Sequence, residues 1–297
     1  MDKVTLGRTG IRVSQLGIGT GTAHPSGHFA QSLMGKKDLA EVLLFAFEKG
    51  ITFWDTAFQY RTYPHIRQAL QHVARSDVIL STKVVTCNEH DTRRDFHISL
   101  QDLDVEYIDI CLLHGVRTKR EFLRRSGAFD ELLRLKQEGR IRAVGVSTHG
   151  LSALQYVLDI QEIDVVWARI NYAGIYMDTG NLPLYDRLAT VPCLKHCVKL
   201  LPSTIKKGMS LPPEEQILSE GERVLVEDTL TKIHAQSRGV VGMKVLLEGH
   251  LSRDLRKAIG YVKNLSFVDA FIIGMMNKKE IELNCNIMSG TGNSDKC

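Results

Sequence analysis

Long hydrophobic runs are missing from this 297-residue chain, and none approaches the ~20 apolar residues that a membrane-spanning helix requires. The opening Met1-Asp2-Lys3-Val4 also lacks the apolar stretch of a signal peptide, so the cytoplasm is the expected compartment. The six cysteines, at 87, 111, 193, 197, 285 and 297, have no framework spacing, and free thiols are expected. Cys111, inside I-D-I-C-L-L, reads as core. Charge of one sign is scarce: a net charge of +4, with basic and acidic residues interspersed, offers no basic stripe for nucleic acid. No strand candidate is followed by G-x-G-x-x-G, which disfavours a Rossmann cofactor site. Proline is also sparse, and five of the seven (183, 192, 202, 212 and 213) fall within residues 173–221, where they exclude one long helix.

What the chain does have is rhythm. V-T-L-G-R-T-G-I-R-V reads as a hairpin with glycines in its turn. Eight strand candidates follow, at Leu16–Gly19, Ile51–Asp55, Val78–Lys83, Ile108–Leu113, Ala143–Ser147, Val165–Ile170, Val240–Lys244 and Ala270–Gly274. Between them lie amphipathic segments at Asp38–Glu48, Phe129–Glu138, Leu151–Ile160, Glu222–Gln236 and Lys278–Ile287. Strands apolar on both faces, each followed by a helix, indicate a parallel sheet covered by helices. Eight such repeats indicate closure, so the expected fold is a (β/α)8 TIM barrel with an N-terminal β-hairpin. One interval is too long for a βα loop, which usually needs only ~2–6 residues. Residues 173–221 are therefore expected to form an insertion over the C-terminal face, either a lid or specificity loop or a surface decoration. The expected organisation is a single domain, 1–290, with a disordered tail, 291–297.

Polar residues at the C-terminal ends of barrel strands read as catalytic. The second strand ends in Asp55, with Tyr60 in the loop after it; the third ends in Lys83, and the fourth runs into His114. Neighbouring strands lie ~4.8 Å apart, so these four side chains are expected to converge. Singly, each has a plain structural explanation, such as a helix cap, a salt bridge or a core histidine. Together they fit one reaction. A phenol, pKa ~10, is a poor acid at neutral pH, and an adjacent ammonium lowers that value. Lys83 would act on Tyr60 in this way, Asp55 would hold Lys83, and His114 would orient a substrate oxygen. Tyr60 would then protonate a carbonyl while a nicotinamide delivers hydride, or act as base in alcohol oxidation.

The segments L-G-R-T-G-I-R-V-S-Q-L-G-I-G-T-G, F-W-D-T-A-F-Q-Y, L-S-T-K, I-D-I-C-L-L-H, I-R-A-V-G-V-S and F-I-I-G-M resemble, in order, those of the aldo-keto reductase family. The resemblance implies the barrel, an Asp-Tyr-Lys-His tetrad on Asp55, Tyr60, Lys83 and His114, and NADP(H) or NAD(H) extended across the C-terminal face. Candidate cofactor contacts are Gly19, Thr20, Asp55, Ser147, Thr148, Arg169, Lys244, Asn277, Lys278 and Asn284. Thr148 follows Ser147 where the family commonly has Asn, Arg169 is placed at the family's Gln position, and Glu280 stands where a basic residue is usual. Asn277, Lys278 and Lys279 can still meet a 2′-phosphate, so NADP(H) is preferred and NAD(H) is the alternative. G-V-S-T-H-G and G-M-K are similar to a branch with a C-terminal iron–sulfur segment, whose repeated cysteines this chain lacks. Cys193-Leu194-Lys195-His196-Cys197 has no fourth partner in sequence, and no metal is expected. Arg61, following Tyr60 where Gly is usual, either meets an acidic or phosphorylated substrate or is a solvated surface arginine. The expected substrate is a small carbonyl compound or alcohol. The alternative readings are a cofactor-binding regulatory barrel with little turnover and a non-redox barrel lyase or isomerase.

Overall fold

The computed structural model describes residues 1–24, 26–175, 177–178 and 220–290. Strands β1 (Lys3–Thr5) and β2 (Arg12–Ser14) form the expected antiparallel hairpin, with Val4 opposite Val13. The barrel strands follow as β3 (Leu16–Gly19), β4 (Phe53–Asp55), β5 (Ile79–Val84), β6 (Ile108–Val116), β7 (Ile141–Thr148), β8 (Val165–Arg169), β9 (Gly239–Met243) and β10 (Ala270–Gly274). All eight pair in parallel, and β10 closes on β3 through Phe271–Leu16 to Gly274–Gly19. The (β/α)8 barrel expected from the strand rhythm is therefore the fold.

Helices α1 (Lys36–Glu48), α2 (Tyr63–Leu70), α3 (Glu89–Leu103), α4 (Lys119–Leu123), α5 (Ser126–Gln137) and α6 (Leu151–Val157) alternate with the first strands. Helices α7 (Glu220–Ala235), α8 (Leu255–Lys263) and α9 (Lys278–Ser289) flank the last two. Helix α1 starts two residues before the amphipathic segment and buries Leu39, Val42, Leu43 and Ala46. Helix α3 has no clear apolar period, because its buried face includes Thr92, Asp95 and Ser99 beside Phe96 and Leu103. Its start is encoded locally: the Asn88 side chain caps it by accepting from the Asp91 amide. Most of the expected insertion, 173–221, and all of the tail, 291–297, lie outside the described residues.

Two apolar cores result. One fills the layer between strands and helices, and the other fills the barrel itself with Phe53, Ile110, Leu112, Val165, Trp167 and Val241. The hairpin plugs the N-terminal end of the barrel, where Leu6, Ile11 and Val13 are fully buried. At that same end, buried Asp109 accepts from Arg75 at 2.7 Å, Arg142 at 2.5 Å and the Leu80 amide at 2.9 Å. This carboxylate ties three strands together and faces away from the barrel mouth. With the N-terminal end sealed by apolar side chains and an ion-pair cluster, the C-terminal end is left for chemistry.

Candidate active site

Asp55 closes β4 and Lys83 lies near the end of β5, so pairing of the two strands carries their side chains to the same rim. The Lys83 ammonium donates to both Asp55 carboxylate oxygens, at 2.7 and 2.6 Å, and to the Thr56 carbonyl at 2.7 Å. Ser81 donates to the same carboxylate at 2.5 Å. Burial lowers the Lys83 pKa, while the Asp55 charge and hydrogen bond oppose that shift.

Tyr60 ends a single 3₁₀ turn, Phe58–Tyr60, and the chain reverses at Arg61 with φ +58°. Three buried hydroxyls brace this loop: Thr62 lies 2.8 Å from Thr20 and 2.9 Å from Thr56. The Tyr60 ring lies 4.4 Å from the Phe29 ring and directly over Gly21. A Cβ at residue 21 would fall 2.2 Å from the ring, so only glycine permits this approach. Burial raises the Tyr60 pKa above its ordinary value, and the Asp55 and Glu248 charges push it the same way. The sequence expectation of a phenol lowered by Lys83 is not met, because the ammonium is engaged by Asp55 and Thr56 and its Nζ is 5.5 Å from the ring centroid.

His114 stands at a β-bulge. The register between β6 and β7 shifts between Leu113 and Val116, and Gly115 adopts φ +67°. The bulge lengthens β6 beyond the expected Leu113 and re-aims His114, whose Nε2 is 3.4 Å from the Tyr60 hydroxyl. Burial holds the His114 pKa well below the usual range, and Lys83, Arg125, Lys244 and Arg117 deepen the effect. The ring is therefore a neutral imidazole at pH 7, suited to a hydrogen bond more than to donating a full proton.

A cavity of about 430 Å³ runs from Asp55, Tyr60 and Lys83 past the loop after β9 to Glu280, Leu283 and Asn284 of α9. That loop is strained. Lys244, Leu247 and Glu248 all have positive φ, as Arg61 does, and these four are among six such non-glycine residues in the described chain. Lys244 donates to Glu248, and Asn284, 3% exposed, has an Oδ1 with no partner among the described residues.

The expected contacts divide accordingly. Gly19, Asp55, Lys244 and Asn284 line the cavity. The others do not. The Thr20 hydroxyl is engaged with the Asp55 carbonyl and Thr62, Ser147 with Met243 Sδ at 3.8 Å, and Thr148 with the Trp167 carbonyl at 3.2 Å. Level with Ser147 on β8 is Trp167, and Arg169 lies one inward step higher. Asn277 caps α9 by accepting from the Glu280 amide at 3.0 Å, and Lys278 lies over the Phe45 ring. Arg61 is exposed. Phe29 and Gly115 act on the site from outside the family-like motifs, and Gly21 and Ser81 lie within those motifs without having been named as site residues. Among the described residues, no group of three or more His, Cys, Asp or Glu can hold a metal; Cys193–Cys197 lies outside them. Burial pushes the Cys111 thiol up to about 12, in keeping with a core residue.

Comparison with known proteins places this site in context. Methylglyoxal reductase DkgA of Yersinia pestis is 32% identical over 116 residues, covering 38% of this chain and 41% of that protein. The NADH-specific methylglyoxal reductase of Escherichia coli is 27% identical over 207 residues, 62% of this chain and 63% of that protein. The chain thus spans about two fifths and about three fifths of the length of these two relatives. The Bombyx mori aldo-keto reductase solved in complex with NADP shares the fold, with a TM-score of 0.62 at 15% identity over 96% of this chain and 87% of that one. The model of the Aldo/keto reductase family matches residues 16–200, more than half of the sequence, and the chain belongs to that family.

Proposed function

We propose that this protein is an NAD(P)(H)-dependent oxidoreductase that interconverts a small aldehyde or ketone with its alcohol, with Tyr60 as the general acid and base. The observation that carries this reading is the convergence of Tyr60 and the Lys83–Asp55 pair at one end of the cavity, with the neutral His114 imidazole beside the Tyr60 hydroxyl. The cavity suits a dinucleotide: its lining reaches from Asp55 and Lys83 to α9, and the orphaned Asn284 Oδ1 is an acceptor awaiting a donor there. Gly19, Asp55 and Lys244 would hold its other parts.

When bound, the nicotinamide supplies the hydride. Tyr60 donates its proton to the carbonyl oxygen as that oxygen gains charge, and His114 Nε2 orients the same oxygen. Asp55 and Lys83 fix the floor on which these groups stand. Tyr60 carries its proton at neutral pH, as a general acid in carbonyl reduction must. One relative is named for NADH and one fold neighbour was solved with NADP. NADP(H) is the preferred cofactor here and NAD(H) the alternative, since Lys278 and Lys279 favour a phosphate while Glu280 opposes it. The proposed compartment is the cytoplasm; no described helix is long and apolar enough to cross a membrane. Residues 1–290 are proposed to act as one domain, with 173–221 over the mouth.

The test follows NADPH and NADH absorbance with a panel of aldehydes, ketones and alcohols. Cofactor-dependent turnover is expected. Tight nicotinamide binding without turnover would instead mark a regulatory barrel, and turnover without any nicotinamide would mark a non-redox enzyme.

A further inference from the structure

The His114 ring packs edge to face against Tyr60 and His149, with centroids 5.6 and 6.3 Å away. Its Nε2 makes the 3.4 Å approach to Tyr60, while Nδ1 has no partner among the described residues. With no hydrogen bond on that nitrogen to set the ring, its direction is inherited from the backbone. That backbone is loosely paired. The ladder with β5 ends at Val84–Leu113, and the ladder with β7 skips from Leu113–Val146 to Val116–Thr148. Among the described residues, His114 therefore has no register partner on either neighbouring strand.

The His114 carbonyl is met instead by Arg125. This side chain, 4% exposed, places Nη1 2.8 Å from the His114 carbonyl, Nη2 2.7 Å from that of Val84 and Nε 3.0 Å from that of Thr86. One planar fork thus joins the β6 bulge to the end of β5, where Val84 follows Lys83. Its mount is fixed at both sides: the Arg125 amide donates to the Phe122 carbonyl of α4 at 2.8 Å, and its carbonyl accepts from the Phe129 amide of α5 at 3.1 Å. Buried guanidinium groups are ordinarily matched with carboxylates. Here the partners are carbonyls, and Glu121, the carboxylate that acts on Arg125 through space, is engaged by the Arg117 amide at 3.0 Å. Burial lowers the Arg125 pKa, yet a guanidinium stays charged at neutral pH. A buried cation held by carbonyl dipoles is costly, and the backbone that it secures is the stretch that carries His114.

We propose that Arg125 is a positioning residue for the reaction, its guanidinium holding the His114 backbone at the bulge and so aiming the imidazole at the oxygen that Tyr60 protonates. This rests on the carbonyl-reductase reading above. Arg125 touches neither substrate nor cofactor in this role; it acts through His114.

The experiment measures kcat for carbonyl reduction and the Kd for NADPH in wild type, Arg125→Lys and Arg125→Met, each with His114 intact and with His114→Gln. Rates are expressed per NADPH-binding site, so loss of folded protein does not mimic the effect. Arg125→Lys keeps the charge and loses the fork, and it carries the test if the Met variant does not fold. With His114 intact, kcat should fall about 10-fold in the Lys variant and further in the Met variant, while the Kd for NADPH stays within about 2-fold. In the His114→Gln background either replacement should change kcat by less than ~2-fold, because the group being aimed is gone. A wild-type kcat in either Arg125 variant, or equal losses with and without His114, would overturn the role of Arg125 while leaving carbonyl reduction standing. Failure of wild type to reduce any carbonyl of the panel would remove both readings.

Discussion

Lys83 and Asp55 form a closed unit: the ammonium meets both carboxylate oxygens at 2.7 and 2.6 Å and gives its third proton to the Thr56 carbonyl at 2.7 Å. No proton of Lys83 is left for Tyr60. The ammonium lies 5.5 Å from the centre of the Tyr60 ring, and its clearest role is to lock the β4–β5 rim. Both side chains are buried, at 2% and 8% exposure, so neither charge is tolerated alone.

Lys83→Met should accordingly destabilise the fold by about 3–5 kcal/mol, because it strands a buried carboxylate. The double variant Lys83→Met/Asp55→Leu should recover more than half of that loss. Urea unfolding midpoints of the three proteins check it, and a double variant as unstable as the single one would argue against the pair being the cause.

Gly115 carries the bulge that aims His114. Space is not the obstacle to a side chain there, since a Cβ would make ordinary 3.5 Å contacts with His149. The obstacle is φ +67°. Gly115→Ala should cost about 1–2 kcal/mol in stability. Carbonyl turnover should fall further than that loss explains, by about 10-fold, as His114 moves from Tyr60. Thermal unfolding and steady-state rates on one preparation separate the two effects.

His114 and His149 both prefer the neutral form in the folded protein. Their folded pKa values lie below the unfolded value of ~6.5, so under acid conditions the unfolded chain binds more protons and stability rises with pH. The contribution is fully present above about pH 7 and is lost progressively as pH falls from the unfolded pKa towards the lower folded one. Melting temperatures between about pH 5 and 8 should show this slope. His114→Gln/His149→Gln should flatten it; an unchanged slope would assign the acid sensitivity elsewhere.

Asn284 sets function against stability. Its buried Oδ1 lacks a partner, so Asn284→Leu should leave the cofactor-free protein equally or more stable. Dinucleotide affinity should weaken about 10-fold, as read by NADPH fluorescence, because an acceptor is gone from the cavity wall. A loss of stability with affinity intact would make Asn284 a structural residue.

The barrel and the four rim residues were legible because they follow from local chemistry. A strand buried on both faces is a continuous apolar run, and a polar residue at its end stands out, as Asp55 does after I-T-F-W. Helix α3 was not legible, since Thr92, Asp95 and Ser99 turn inward and blur the period. Gly21, Gly115 and Phe29 were invisible for another reason: their importance lies in contacts with Tyr60 and His149 that exist only after closure of the barrel. Thr20 and Ser147 show the converse. Strand-end position brought them to the rim, yet their hydroxyls turn to partners inside the protein.

Tyr60→Phe tests the central claim most directly. The substitution removes one hydroxyl and keeps the ring that packs on Phe29 and Gly21. Carbonyl turnover should fall by at least ~100-fold while the Kd for NADPH stays within about 2-fold, because only proton transfer is lost. Turnover unchanged in the Phe variant would contradict the assignment of Tyr60 as the proton donor.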